Sequence, residues 1–202
     1  MTNGTKVLKR DGQTESLNLE KVHKMTEEAC EGLAGVSASQ VEIQSGIQFY
    51  DGITTAEIQE ILVRSASDLI DLDTPNYQFV AARLLLFGLY KQVFGDWKKG
   101  FPSVREHLSK GSDKKIYDST LESKYSEEEW SKINSWVDHN RDLTFTYAGL
   151  RQVVDKYLVQ DRSTTEVYES PQLMYMLISA AIFAEYPQET CLLYTSDAAD
   201  DL

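Results

Sequence analysis

Residues 6–21 read KVLKRDGQTESLNLEK, and this stretch decides the fold of the N-terminal region. Apolar and polar side chains alternate on both sides of its central DG pair, which is a typical two-residue turn. The stretch therefore predicts a β-hairpin over residues 6–17. Asn18 follows as a helix N-cap and predicts a first helix over residues 19–32.

Three more helices are predicted before residue 95. The second and third begin with S/T-x-x-E patterns typical of capping boxes and are expected to reach about residues 49 and 70: Ser39 with Glu42, and Thr54 with Glu57. The fourth begins at Pro75 and is apolar around much of its circumference. Such a helix is typical of the centre of a bundle.

The second half of the chain is also expected to be mostly helical. Residues 95–111 are mixed in composition and predict a connector that contains a domain boundary. Helices are expected to resume at Ser126, which forms a capping-box pattern with Glu129, and again over residues 147–156. A second hairpin over residues 157–168, with strands at 157–159 and 166–168, precedes an apolar helix over residues 172–185.

The predicted fold class is therefore mainly α. An N-terminal β-hairpin caps a four-helix bundle over residues 1–95, and a helical region with a second β-hairpin follows over residues 96–190.

The composition argues against several classes of protein. The chain has 202 residues, a net charge of −12 and two cysteines, Cys30 and Cys191. Acidic proteins repel nucleic-acid backbones, so no nucleic-acid partner is expected. No run of about 18 apolar residues occurs, so no membrane span is expected. The cysteine content and the lack of a secretory signal favour a cytoplasmic location without a disulfide scaffold or a metal site.

Residues 191–202, CLLYTSDAADDL, form a third segment. Their back-translation resembles, in frame, a transposase adapter used in sequencing libraries. We therefore expect these residues to be an artefactual tail. The alternative is a genuine polar tail.

Charged residues near the hairpin suggest a binding site. Lys9 and Arg10 end the first strand, Glu15 lies on the second, and Lys21 lies in the first turn of the helix. A helix N-terminus with nearby cations can hold a phosphate, and a carboxylate can accept hydrogen bonds from a sugar or a base. From the residues alone, a solvated edge hairpin with ordinary surface charges is the stronger interpretation, because no glycine-rich phosphate loop is present.

The order and spacing of several motifs resemble a known family. The N-terminal motifs are similar to those of the ATP-cone domain, and the later ones to the start of the large subunit of class Ia ribonucleotide reductase. The resemblance covers residues 5–190 and is carried by KRDG at 9–12, NLEKV at 18–22, FYDGITT at 49–55, AARL at 81–84, DHNRD at 138–142, FTY at 145–147, KYLVQ at 156–160 and YES at 168–170.

The resemblance implies a nucleotide site in the first domain. Phosphate contacts are expected from the basic side chains Lys9, Arg10 and Lys91, with Lys21 as a fourth. Base or ribose contacts are expected from Glu15 and Asn18. Further contacts are expected from the Thr55 hydroxyl and from Val7. Two positions depart from close bacterial relatives, which often carry histidine where this chain has Gln59 and Gly88, and both are expected to face the pocket or its rim.

The resemblance also implies a function. In this family the cone senses ATP and dATP, with Mg²⁺ accompanying the nucleotide, and regulates the overall activity of a thioredoxin- or glutaredoxin-dependent reductase that makes deoxyribonucleoside diphosphates for DNA synthesis. The implied partners are a second large subunit and the radical-generating small subunit. The family's catalytic cysteines lie beyond residue 190, so no catalytic residue is expected here and the chain alone is expected to be inactive. The alternatives are a free-standing ATP-cone regulator and a helical interaction module without a ligand.

Overall fold

The computed structural model describes residues 5–9, 12–46 and 48–185. The chain divides into two compact units, Met1–Gly88 with Leu143–Arg151, and Leu89–Asp142 with Gln152–Leu202. The expected domains at 1–95, 96–190 and 191–202 remain predictions, and the last of them lies outside the described residues. The expected fold class is confirmed, because the described chain is mainly helical and carries small strand pairs in both halves.

The N-terminal hairpin forms as predicted and belongs to a three-stranded sheet. Strand β1, Lys6–Leu8, pairs antiparallel with β2, Thr14–Ser16, so that Val7 lies opposite Glu15. A third strand, β3 at Ile53–Thr54, pairs in parallel with β1 on its other side. The hairpin prediction did not include β3.

Four helices follow the hairpin, and their bounds correct the predicted ones. Helix α1 ends two residues before the expected position, and α4 begins two residues after Pro75. Helix α2 begins before Ser39, which therefore cannot be its N-cap, and it ends before residue 49. The bounds are α1 Leu19–Cys30, α2 Ala38–Gly46, α3 Thr55–Asp68 and α4 Tyr77–Phe94.

The core of the first unit joins the sheet to its helices. It is formed by apolar side chains from β1, β3, α2, α3 and α4, among them Val7, Val41, Ile53, Leu62, Ala66, Val80 and Leu84. Arg83 closes one side of this unit through backbone acceptors. Its guanidinium donates to Ala29 O in the last turn of α1, to Glu31 O just after that helix, and to Leu143 O. A single half-buried side chain therefore joins three parts of the unit.

The second unit contains one helix that the sequence analysis missed. Helix α5, Val104–Asp113, lies where a connector was expected, and Ser103 and Glu106 form its capping box. Helix α7 starts in the first unit and ends in the second. The remaining helices are α6 Glu127–Ser135, α7 Tyr147–Lys156 and α8 Pro171–Phe183, with shorter 3-10 helices at Trp97–Lys99, Ser119–Lys124 and Arg141–Thr144.

The second hairpin is present but begins later than expected. Its strands are β4, Gln160–Asp161, and β5, Glu166–Val167, and just before β4 the Val159 carbonyl still accepts a hydrogen bond from Tyr168 N at 3.0 Å. Helix α8 packs with α5 and α6 around a core that includes Leu108, Trp130, Ile133, Leu173 and Met176. Within the described part of the chain, no helix combines the length and apolar character that a membrane span requires.

Candidate functional site

Alternation along β1 determines which side chains face the helices. Val7 is buried, whereas Lys6 and Leu8 on either side of it are exposed. Residues two apart on a strand share a face, so Lys9 continues the face of Val7. Glu15, opposite Val7 on β2, lies on the same face. Lys9 and Glu15, two of the expected site residues, therefore lie on the inner side of the sheet, beside the buried core.

Glu15 joins two lysines from different elements. Lys9 Nζ lies 2.7 Å from Glu15 Oε2, and Lys21 Nζ lies 3.4 Å from Glu15 Oε1. Asn18 fixes the start of α1, because its Oδ1 accepts a hydrogen bond from Lys21 N at 3.1 Å. The hydrogen bond from Lys9, with a smaller contribution from Lys21, lowers the pKa of Glu15. The carboxylate is thus ionised at neutral pH and pairs with Lys9 and Lys21. A bound anion could replace Glu15 as the partner of these two lysines.

The N-terminus of α3 lies at the end of β1 that carries Lys9. Leu8 and Thr54 are partners in the parallel ladder, so Lys9 and Thr55 follow them at the same edge of the sheet. Thr54 caps α3 in a capping box with Glu57, as predicted. Thr55 is the first residue of this helix, whose free N–H groups and dipole favour a negative charge.

The structure brings together most of the predicted site residues. Lys9, Glu15, Asn18 and Lys21 are linked by the contacts above, and strand register adds Thr55. The side chain of Val7 is buried in the sheet core, so it can support the site from beneath but presents little surface. Lys91 lies exposed in the last turn of α4 and belongs to the second compact unit. Arg10 lies outside the described residues, and the nucleotide contacts assigned to all these residues remain predictions.

Gln59 and Gly88 form a contact between α3 and α4. Gln59 Nε2 donates to Leu84 O at 2.5 Å. A Cβ built on Gly88 would come within 2.9 Å of Gln59 Cγ, so the missing side chain at 88 gives Gln59 its space. Gln59 lies one turn after Thr55 on α3. The side chain of Gln59 therefore packs against α4 and donates its hydrogen bond to that helix.

The sequence analysis missed the connection that places Thr55 near Lys9. Lys6 N donates to Asp51 Oδ1 at 2.7 Å, and Gly52 N donates to Lys6 O at 2.8 Å. These bonds hold the turn before β3 against β1. The β-branched pair Ile53–Thr54 directly after a DG turn was the available signal, because such pairs favour short strands.

Metal ligation is not supported by the described residues. Among them, no three His, Cys, Asp or Glu side chains are grouped so that they could hold a metal ion. His107 and His139 are largely buried, and burial lowers the pKa of each to about 4. His23 instead lies between two carboxylates on the surface, with Nδ1 at 2.8 Å from Glu42 Oε1 and Nε2 at 3.2 Å from Glu27 Oε1.

The cone-like arrangement agrees with a comparison of protein families. Residues 5–92 match the ATP cone domain, a stretch that contains the sheet and most of helices α1 to α4. This part of the chain is therefore an ATP-cone domain. Over 93% of its length, the cone included, the chain is homologous to the N-terminal region of class Ia ribonucleoside-diphosphate reductase alpha subunits.

Three relatives illustrate the range of that homology. The ribonucleoside-diphosphate reductase 1 subunit alpha of Escherichia coli K12 is 47% identical over 188 residues, which are 93% of this chain and 24% of the relative. The subunit alpha of Haemophilus influenzae is 46% identical over 96% of this chain and 25% of its own length. That of Enterobacteria phage T4 is 38% identical over 90% of this chain and 24% of its own length. The chain thus spans about a quarter of the length of these relatives.

Proposed function

We propose that the ATP-cone domain of this chain binds ATP and dATP and is the overall activity site of a ribonucleoside-diphosphate reductase large subunit. The observation that carries the proposal is the bridging of Lys9 and Lys21 by Glu15 on the inner face of the sheet, next to the N-terminus of α3. The family match over residues 5–92 supports it independently.

Binding would exchange partners within this cluster. A triphosphate offers the two lysines stronger acceptors than the half-exposed Glu15 carboxylate, since exposed lysine–carboxylate pairs are weak. Arg10 and Lys91 are proposed as further phosphate ligands. Once released from the lysines, Glu15 can accept hydrogen bonds from a ribose hydroxyl or a base amino group.

Two neutral side chains would complete the contacts. The Asn18 side chain can share its amide between the cap of α1 and the ribose or base, and the Thr55 hydroxyl can donate to the nucleotide. Mg²⁺ is expected to enter with the nucleotide and to supply charge neutralisation on the phosphate oxygens, because the described residues provide no ligand cluster of their own.

The whole protein is proposed to reduce ribonucleoside diphosphates in the cytoplasm. The names of the relatives support this activity for the parent protein, and the proposed partners are a second large subunit and a radical-generating small subunit. This chain is proposed to supply regulation without catalysis. Its two cysteines, Cys30 and Cys191, cannot provide the redox pair and the radical cysteine that the family's chemistry requires.

Isothermal titration of the 202-residue chain with ATP and with dATP, each with Mg²⁺, tests the site. We expect saturable binding of both nucleotides. Lys9→Ala and Lys21→Ala should each weaken binding about tenfold, the effect of removing one charge-assisted hydrogen bond. Lys24→Ala is the matched control, because Lys24 is exposed on the same helix as Lys21 but lies outside the cluster.

Two results would contradict parts of the proposal. If a chain shown to be folded by circular dichroism gives no binding heat at millimolar nucleotide, the domain is a helical interaction module. If the double variant with Lys9→Ala and Lys91→Ala binds as tightly as the parent chain, the nucleotide lies elsewhere in the cone.

A chimera distinguishes the reductase subunit from a free-standing regulator. Residues 5–185 would replace the matched stretch of the E. coli K12 alpha subunit, and nucleoside diphosphate reduction would be measured with the E. coli beta subunit. We expect activity that responds to ATP and dATP. A folded chimera whose activity ignores both nucleotides would contradict the regulatory role.

A further inference from the structure

Residues Leu143–Arg151 belong to the same compact unit as the sheet of the cone, although they lie outside the stretch that matches the ATP cone domain. We call them the return segment. Its Leu150 side chain is fully buried. Its Thr146 side chain caps α7, since Oγ1 accepts a hydrogen bond from Gly149 N at 3.2 Å. The return segment is therefore a folded part of the first unit and contains the start of its own helix.

Two contacts join the return segment to the long helices of the cone. Arg83 on α4 donates from its Nε to Leu143 O at 3.4 Å. Arg151 Nη2 lies 2.8 Å from Glu60 Oε1 on α3. The first residue of the segment is thus attached to α4, and its last residue is attached to α3.

Helix α3 connects the Arg151 contact with the candidate nucleotide site. Thr55 is the first residue of this helix, and Glu60 follows five residues later. Five residues advance about 7.5 Å along a helix axis and turn about 140° around it. Glu60 therefore lies close to the nucleotide end of α3 but on a different side of the helix from Thr55. A nucleotide at Thr55 and the guanidinium of Arg151 can act on the same short stretch of helix without competing for the same atoms.

We propose that the return segment positions α3 for nucleotide binding, so that attachment of the segment and binding of the nucleotide strengthen each other. The inference rests on the proposed function of the cone. It extends the functional cone beyond residues 5–92 to include residues 143–151. Arg151 is then a positioning residue, which acts through Glu60 and does not touch the nucleotide. Because such coupling is reciprocal, the return segment should respond to the nucleotide as well as support its binding.

Substitutions in the ion pair test the effect of the segment on nucleotide binding. Arg151→Gln and Glu60→Gln would be made alone and together in the 202-residue chain, and the affinity for ATP with Mg²⁺ would be measured by isothermal titration. Each single substitution should weaken binding about twofold to fivefold, the range expected from an exposed ion pair. The double variant should bind no more weakly than the single variants, since both remove the same contact. Asp68→Asn is the matched control and should leave the affinity unchanged, because Asp68 is exposed at the last position of the same helix.

The direction of the two changes separates attachment of α3 from a simple effect of charge. A triphosphate is attracted by a nearby cation and repelled by a nearby carboxylate. Charge alone would therefore weaken binding in Arg151→Gln and strengthen it in Glu60→Gln. Attachment requires both members of the pair, so both variants should bind more weakly. Weaker binding in only one of the two variants, or in neither, would overturn the proposal.

Hydrogen exchange followed by mass spectrometry tests the effect of the nucleotide on the segment. Saturating ATP should slow exchange in peptides that cover residues 143–151 by about fivefold or more, a coupling typical of linked sites. Peptides that cover α6 in the second unit are the control and should exchange at an unchanged rate. Unchanged exchange in the return segment, or equal slowing in α6, would overturn the proposal.

The titrations also separate this proposal from the proposed function. If a folded chain gives no binding heat, nucleotide binding by the cone is contradicted and the inference is overturned with it. If ATP binds saturably but leaves the exchange of the return segment unchanged, the inference alone is overturned.

Discussion

Gly88 on α4 lies against the side chain of Gln59 on α3, and the absence of a side chain at 88 allows the hydrogen bond from Gln59 to Leu84 O. The two residues act as one unit, since enlarging either requires the other to move. Because Gln59 is one turn from Thr55, this contact also fixes the position of α3 beside the candidate nucleotide site.

A double-mutant cycle measures the coupling between these two residues. Replacing Gly by Ala inside a helix normally stabilises it by about 0.5–1 kcal/mol. In this chain, Gly88→Ala must displace Gln59 from Leu84 O, so we expect the gain to be cancelled. In a Gln59→Ala background the gain should reappear, giving a coupling of about 1 kcal/mol in urea unfolding. Equal stabilisation in both backgrounds would contradict the contact.

Tyr117→Phe is expected to destabilise the second unit. The change removes the hydrogen bond that the phenol donates to the buried Glu169 carboxylate, so that Glu169 Oε2 loses this donor. The expected loss is about 1–3 kcal/mol in the free energy of unfolding. Tyr157→Phe is the control, because Tyr157 is largely exposed, and it should change stability by less than about 0.5 kcal/mol. Similar effects of the two substitutions would show that the Tyr117–Glu169 bond is not made.

His23 should make the contact between α1 and α2 dependent on pH. The hydrogen bond and charge of Glu42, and then the charge of Glu27, raise the pKa of His23 above 6.5. Because the folded pKa is the higher one, the stabilising contribution is complete below pH 6.5 and disappears as the pH rises through the folded pKa.

Thermal unfolding of the parent chain and of His23→Gln tests this effect. The two melting temperatures should differ most near pH 6 and converge near pH 8, since only the protonated imidazole pairs with the carboxylates. A constant difference across this range would contradict the ion pairs. Because His23 is exposed, the difference should also shrink in high salt.

His107 and His139 should behave in the opposite way. Burial lowers the pKa of both imidazoles to about 4, and His139 stacks on Phe101 with ring centroids 3.7 Å apart. Their stabilising contribution is present above pH 6.5 and is lost as the pH falls towards the folded pKa, because the unfolded chain binds protons first. NMR titration of the ring protons should give His23 a midpoint at a clearly higher pH than the midpoints of His107 and His139. A shared midpoint for the three histidines would contradict their burial.

Local signals in the sequence predicted several helix starts correctly. Thr54 with Glu57 and Ser126 with Glu129 both form the expected capping boxes. The same pattern failed at Ser39 and Glu42, because α2 starts at Ala38 and Glu42 pairs with His23 instead. A third box, Ser103 with Glu106, was overlooked because its surroundings are rich in aromatic and basic residues rather than clearly periodic.

Features that depend on distant pairing could not be predicted. The parallel ladder between Val7 and Ile53 joins a three-residue strand to a two-residue strand from far apart in the sequence, and no local pattern specifies such a register. The cluster at Glu15 was easier to foresee, because a hairpin and the first turn of the next helix place Lys9, Glu15 and Lys21 within a few residues of each other. The position of Thr55 beside Lys9 follows only from the ladder.

Arg83 has a consequence for how the protein is made. Its guanidinium reaches Leu143 O as well as the end of α1, and Arg151 Nη2 lies 2.8 Å from Glu60 Oε1. The N-terminal unit is therefore completed by residues 143–151, which are synthesised roughly fifty residues after the end of α4. A nascent chain that stops between α4 and residue 143 has a cone without the contacts of Leu143 and Arg151. The unit can complete its folding only after residue 151 has been synthesised.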